Sequence, residues 1–174
     1  DERSDDRAGE KAGGDIDAAA AADATGTAPV IGVIYYRAQH LAGNTAYVSA
    51  LCSAIEKRGA VVKPIYAASL RTAGDDLIAE LGTCDALITT VLAAGGNRPA
   101  LAQAGGDDGA WDVAALAKLD MPIIQGLALT SPRQAWEDND EGLTPLDVAT
   151  QIAVPEFDGR LISVPFSFKE IDSD

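Results

Sequence analysis

The sequence predicts an α/β fold, an open, doubly wound and mostly parallel sheet, on three observations. Apolar runs of strand length alternate with amphipathic helical patterns from Val30 onward. The first run, Val30–Tyr36, is apolar throughout instead of alternating, as in a strand covered on both faces. Strand, helix, strand, helix at this spacing indicates βαβ units, which right-handed crossovers assemble into a doubly wound sheet of flavodoxin-like type.

Each element follows from its local chemistry. After the first strand comes a polar loop, Arg37–Gly43, and then a helix opening near Asn44 or Thr45. Its apolar face is Val48, Leu51, Cys52 and Ile55, at spacing i, i+3, i+4, i+7. Lys57 and Arg58 suit the last turn of that helix, and Gly59 suits the position beyond it. Val61–Tyr66 reads as the second strand, Asp75–Leu81 as a helix closed by Gly82, and Ala86–Val91 as the third strand. A glycine-rich stretch, Leu92–Gly109, reads as a mobile loop; Trp111–Leu119 is a third helix and Pro122–Leu129 a fourth strand.

Two capped helix starts follow. Ser131-Pro132-Arg133-Gln134 has a hydroxyl at the cap, proline at the first helical position and glutamine three residues on. Thr144-Pro145-Leu146-Asp147 repeats the pattern with a shorter acid. That second helix is expected to end near Ala153, because Pro155 cannot continue it. Glu156 and Asp158 then fall in a connector to a last strand, Leu161–Phe168.

Residues 1–29 contrast with the rest. They hold eight acids against three cations and no apolar residue larger than alanine before Ile16 or, after it, before Pro29. Such a segment buries too little surface to offset its chain entropy, so it reads as a flexible linker ahead of a domain spanning 30–174. A chain that opens on a linker reads as an excerpt of a longer one.

Composition bounds the function. The net charge of −14 argues against a nucleic-acid partner, whose binders cluster Lys and Arg. Acidity would suit a cation or a basic protein surface, although most acidic surfaces serve only solubility. No stretch reaches the roughly 18 apolar residues of a membrane span, and a cytoplasmic protein is expected. Cys52 and Cys84 fit neither a disulfide framework nor a zinc site and read as small core residues. Trp111 and Trp136 read as packing residues.

Several chemistries are excluded by motif. The sequence has no G-x-x-x-x-G-K-[ST], no G-x-G-x-x-G after the first strand and no G-x-S-x-G. The loop after the first strand lacks the hydroxyls that would wrap a flavin phosphate, and neither cysteine lies on a strand-to-helix turn. Parallel sheets bind ligands at the carboxyl ends of their strands. The expected crevice residues are therefore Arg37, Gln39, His40, Thr130, Ser131 and Arg133, with Glu156 expected nearby. His40 is the only histidine; with Glu156 it would hold a divalent first-row metal loosely.

Four separated motifs carry a family resemblance. They are Tyr36-Arg37-Ala38 with Leu41 and Gly43-Asn44-Thr45; Asp85–Ile88; Gly142-Leu143 with Pro145-Leu146-Asp147; and Val154-Pro155-Glu156-Phe157-Asp158-Gly159-Arg160. In this order they resemble the large subunit of aerobic cobaltochelatase, and more distantly that of magnesium chelatase. Tyr35–Tyr47, Val91–Gly96 and Pro165–Ile171 are similar to the actinobacterial type. The similarity runs from about Val30 to the end and leaves residues 1–29 outside it.

The resemblance implies one internal domain of a much longer subunit, joined to other domains of the same chain. It implies insertion of a cobalt ion, as substrate, into the tetrapyrrole hydrogenobyrinic acid a,c-diamide. ATP would be used by separate AAA+ motor subunits and not bound here. Carried over onto this sequence, Glu156 takes the role of proton acceptor or transient metal ligand, while His40 as a second metal ligand rests on the residues alone and not on the resemblance. Arg37, His40, Ser131 and Arg133 become candidate tetrapyrrole contacts, and the isolated domain is not expected to catalyse by itself. Two other readings stay open: a scaffold that docks the motor subunits, and a stand-alone flavodoxin-like regulatory module.

Overall fold

The computed structural model describes residues 26–70, 73–92, 114–140 and 142–170. Most of the linker assigned to 1–29, all but Leu92 of the 92–109 loop, and Trp111 lie outside these residues. Five strands, β1 (Val30–Tyr36), β2 (Val61–Ala67), β3 (Ala86–Thr89), β4 (Ile123–Ala128) and β5 (Leu161–Ser167), form one sheet in the order β2-β1-β3-β4-β5. Every neighbouring pair is parallel. The strand order reverses between β1 and β3, as in a flavodoxin-like sheet, so the expected α/β architecture is the observed one.

The helices are α1 (Arg37–Leu41), α2 (Ala46–Glu56), α3 (Asp75–Leu81), α4 (Ala114–Ala117), α5 (Arg133–Glu137), α6 (Pro145–Asp147) and α7 (Val154–Phe157). A π-helical turn, Val148–Ala153, joins α6 to α7. Alternation along β1 divides the core. Val33 and Tyr35 point to one face and meet Val48, Leu51, Cys52 and Ile55 of α2. Ile34 points to the other, where Leu87, Leu81 of α3 and Leu116 of α4 close over it. Gly32 is needed in β1, because a Cβ there would come within 2.6 Å of Leu87 Cδ2 and 3.0 Å of Cys84 Sγ. Both edge strands carry a proline, Pro64 in β2 and Pro165 in β5, where the missing N–H costs no interior ladder bond.

Four local expectations are corrected. The loop at Arg37–Gly43 contains the short helix α1, which Gly43 ends at φ +72°. The third strand stops at Thr89, whose Oγ1 accepts from the N–H of Val91 at 3.1 Å and turns the chain away. Ser131 does not cap α5: the cap residue is Pro132, no side chain caps it, and the Arg133 N–H goes to Glu170 Oε1 at 3.0 Å. Gln134 bonds Asp138 instead of reaching back. The fourth correction is the largest. The helix does not end before Pro155 but runs on through Phe157, so Glu156 is helical. The π-turn restarts the α-helix at Val154 and leaves Pro155 in a first turn, where its missing N–H is tolerated.

The cap at Thr144 does form, and it does more than start a helix. Thr144 Oγ1 accepts from the N–H of Asp147 at 3.1 Å and donates to Asp147 Oδ2 at 2.8 Å. Asp147 is fully buried, and its Oδ1 accepts from Thr130 N at 3.2 Å and Thr130 Oγ1 at 3.0 Å. One carboxylate thus ties the start of α6 to the chain leaving β4. Asp147→Ala removes the charged acceptor of the Thr130 N–H and of both threonine hydroxyls and is expected to cost about 3 kcal/mol in urea unfolding. A loss below about 0.5 kcal/mol, the range of inert surface changes, would show that this anchor is dispensable.

Candidate functional site

Chemistry-bearing residues gather at both ends of the sheet. At the carboxyl end, β1 runs directly into α1, which places Gln39 and His40 above the strand tips. Tyr47 of α2 donates to Gln39 Oε1 at 2.6 Å and lies 3.1 Å from Thr90 Oγ1, beyond β3. These groups stand where the strand order reverses, the usual position of a ligand crevice. A crevice of ≈ 590 Å³ extends from there to Thr130, Phe168, Lys169 and Glu170 beyond β4 and β5. Neutral hydroxyl, phenol and amide groups dominate it, with one cation and one acid.

The predicted crevice residues divide. Gln39 and Thr130 line it. His40 turns aside: its ring stacks on Tyr66 at 4.5 Å and 20°, and its Nδ1 lies 3.0 Å from Tyr35 Oη. It lines a separate recess of ≈ 360 Å³ with Cys52 and Pro64. Arg37 is exposed on α1. Ser131 accepts the Lys169 N–H on its carbonyl, at 3.2 Å. Arg133 pairs with Glu137 one turn along its own helix, at 2.7 Å, and that hydrogen bond raises the guanidinium pKa. Tyr47, Asn44, Phe168 and Lys169 are crevice residues that sequence reasoning missed; the helix position of Tyr47, one residue before the buried Val48, was the available signal.

Glu156 is at the other end. It belongs to α7, which feeds the start of β5, and the start of a strand in this parallel sheet is the amino end. His40 follows the carboxyl end of β1. Seven-residue strands separate these ends by roughly 20 Å, so the two side chains cannot share one ion, and the pairing of Glu156 with His40 is withdrawn. Among the described residues no group of three or more His, Cys, Asp or Glu could hold a metal.

Glu156 is exposed, next in sequence to Phe157, which lines a recess of ≈ 500 Å³ together with Leu116, Met121, Pro122 and Ile123 and with the acids Asp120 and Asp158. Phe157 keeps 68 % of its surface exposed there. Behind this rim the chain is fixed by charge. The side chains of Asp158 and Arg160 are fully buried, with Nη2 and Oδ2 3.0 Å apart. Arg160 Nη1 donates to Val91 O and to Gln125 Oε1, both at 2.7 Å. Burial lowers the Arg160 pKa, and the Asp158 carboxylate opposes that shift.

A family model described as CobN/Magnesium Chelatase matches residues 7–174. The chain belongs to the CobN/magnesium chelatase family. The match reaches back to residue 7 and so takes in most of the segment left outside the motif resemblance. A similar protein is the aerobic cobaltochelatase subunit CobN of Pseudomonas aeruginosa, 32% identical over 143 residues, which cover 81% of this chain and 11% of that one. The chloroplastic magnesium-chelatase subunit ChlH of Oryza sativa subsp. indica is 32% identical over 149 residues, 82% of this chain and 10% of that one. A solved structure, the catalytic subunit of cobaltochelatase from Mycobacterium tuberculosis, is 66% identical with a TM-score of 0.79, covering 84% of this chain and 12% of that chain. This CobN-family chain therefore spans about a tenth of the length of these relatives. Among the described residues no helix is long and apolar enough to cross a membrane.

The buried and half-buried thiols and phenols carry a pH consequence. Burial raises the pKa of the Cys52 and Cys84 thiols above 9.0 and of the Tyr35 and Tyr47 phenols above 10.0. Folding thus favours the neutral forms: their stability is fully present below these ordinary values and is lost as pH rises through the raised ones. The urea midpoint is expected to be set without these groups near pH 7 and to fall above about pH 9. A midpoint that rises above that pH would contradict the assignment.

Proposed function

We propose that this chain is an α/β domain of the large subunit of a cobaltochelatase and contributes Glu156 to metal insertion. The observation that carries the reading is the exposed Glu156 carboxylate next to Phe157 of the amino-edge recess, in a chain 66% identical to a cobaltochelatase catalytic subunit. The CobN and ChlH relatives both stand at 32%, so it is the 66% identity to a cobaltochelatase catalytic subunit that favours cobalt. Hydrogenobyrinic acid a,c-diamide is the proposed tetrapyrrole, held between this domain and other domains of the subunit in the cytoplasm. AAA+ motor subunits would use ATP to drive the step.

Insertion of a divalent ion into the macrocycle forms metal–nitrogen bonds and releases two pyrrole protons, which need bases. Glu156 is proposed to accept one of them or to hold the ion as it sheds water. The apolar side chains of the recess suit this task because they can cover a flat ring, with Glu156 and Asp120 setting hard oxygens beside them. Arg37 stands at the opposite end of the sheet and is proposed only as a contact for a neighbouring domain, not for a tetrapyrrole at the amino edge.

Glu156→Gln in the full-length subunit, assayed for cobalt insertion with the motor subunits, is expected to lower kcat about 10²-fold. Wild-type rates would reduce the domain to a scaffold that docks its neighbours. A tetrapyrrole titration of the isolated chain is expected to show much weaker binding than the full-length subunit does. Equal affinity would place the whole site within these residues.

A further inference from the structure

We infer that Arg160, with Asp158, is a positioning device for Glu156. This rests on the assignment of Glu156 above and adds the residues that set where its carboxylate stands.

The backbone around Glu156 is a closed turn. The Asp158 N–H goes to the carbonyls of Val154 and Pro155, that of Gly159 to Glu156 O at 2.9 Å, and that of Arg160 to Pro155 O at 3.1 Å. Gly159, at φ +74°, makes the reversal that a residue with a Cβ resists. These bonds define the shape of the turn but not where it sits on the sheet. Arg160 supplies the placement. Its guanidinium reaches across one sheet face to Gln125 in the middle of β4 and to the Val91 carbonyl beyond β3. Asp158, two residues from Glu156, closes the third side at 3.0 Å. The turn is thereby held against two interior strands, while Glu156 remains exposed between the two buried anchors Pro155 and Asp158.

Stability alone does not call for this arrangement. A buried ion pair carries a desolvation cost that its attraction barely offsets, and an apolar pair of similar volume serves as well or better. Arg160 Nε and Nη2 also have no hydrogen-bond partner among the described residues, Nη2 meeting Asp158 as an ion pair only, a further cost. An apolar pair cannot supply direction. A planar guanidinium whose Nη1 meets two fixed acceptors and whose Nη2 faces Asp158 sets the rotation and height of the turn, and a shift of about 1 Å at a reacting group lowers rates on the order of 10²-fold.

A double-mutant cycle in the full-length subunit, assayed with the motor subunits, tests the inference. Asp158→Leu with Arg160→Met removes both charges together, so that neither is left buried alone. In the wild-type background the pair is expected to lower kcat about tenfold, with KM for the tetrapyrrole changed less than about twofold. In a Glu156→Gln background the same pair is expected to change kcat less than about twofold, because there is no carboxylate left to misplace. Arg160→Lys, which keeps the charge without the fork, gives the same cycle if the pair does not fold, and is expected to lose about threefold only when Glu156 is present. Multiplicative losses in both backgrounds, or full kcat in the wild-type background, would overturn the inference and leave the role of Glu156 standing. Full activity of Glu156→Gln by itself would remove that role and the inference with it.

Discussion

The arrangement of this domain depends on one buried guanidinium. Arg160 joins the end of β3, the middle of β4 and the turn between α7 and β5 through contacts of 2.7 to 3.0 Å. On that part of the sheet it occupies the place that aliphatic side chains fill over β1, where Ile34, Leu81 and Leu87 pack. A charge so deeply dehydrated is tolerated only where acceptors are fixed around it, so Val91 O, Gln125 and Asp158 are positioned as strictly as the arginine itself.

A second buried charge completes the frame. Asp147 ties the start of the helical run to Thr130 beyond β4, and Arg160 follows its end. The run is therefore clamped to the sheet at both ends, at Asp147 beside the carboxyl edge and at Asp158 beside the amino edge. The π-turn at Val148–Ala153 falls between the clamps and presents Gln151 to Gln125, at 3.5 Å. Widened turns of this kind recur at functional sites, and here the turn is what lets a helix continue through Pro155 to deliver Glu156.

Much of the fold was legible because it is written in local pattern. The apolar run Val30–Tyr36, the i, i+3, i+4, i+7 face of α2 and the Thr144 cap each need only near neighbours to be read. What escaped depends on distant partners. The N–H at the start of α5 is satisfied by Glu170, some 37 residues along the chain, so the local capping signal at Ser131 went unused. Arg160 entered only as the last residue of a family motif, and nothing nearby announced Gln125 and Val91 as its acceptors. Glu156 was misplaced for a different reason. Strand-end reasoning was applied to a residue that precedes its strand, and in a parallel sheet that position belongs to the amino edge. The order of elements already contained that information.

The sheet thus presents two chemically distinct ends. The carboxyl edge has Tyr47, Gln39 and Thr90 hydrogen-bonded around a crevice; the amino edge has Leu116, Met121, Ile123 and Phe157 around a recess, with the exposed carboxylates of Asp120 and Glu156. The central claim is that the tetrapyrrole meets the amino edge. The most direct measurement is amide hydrogen exchange of the full-length subunit with and without bound tetrapyrrole. Slowed exchange in segment 154–163 with little change at 37–47 is the result this account predicts. Protection confined to 37–47 and 128–133, with segment 154–163 unaffected, would contradict it.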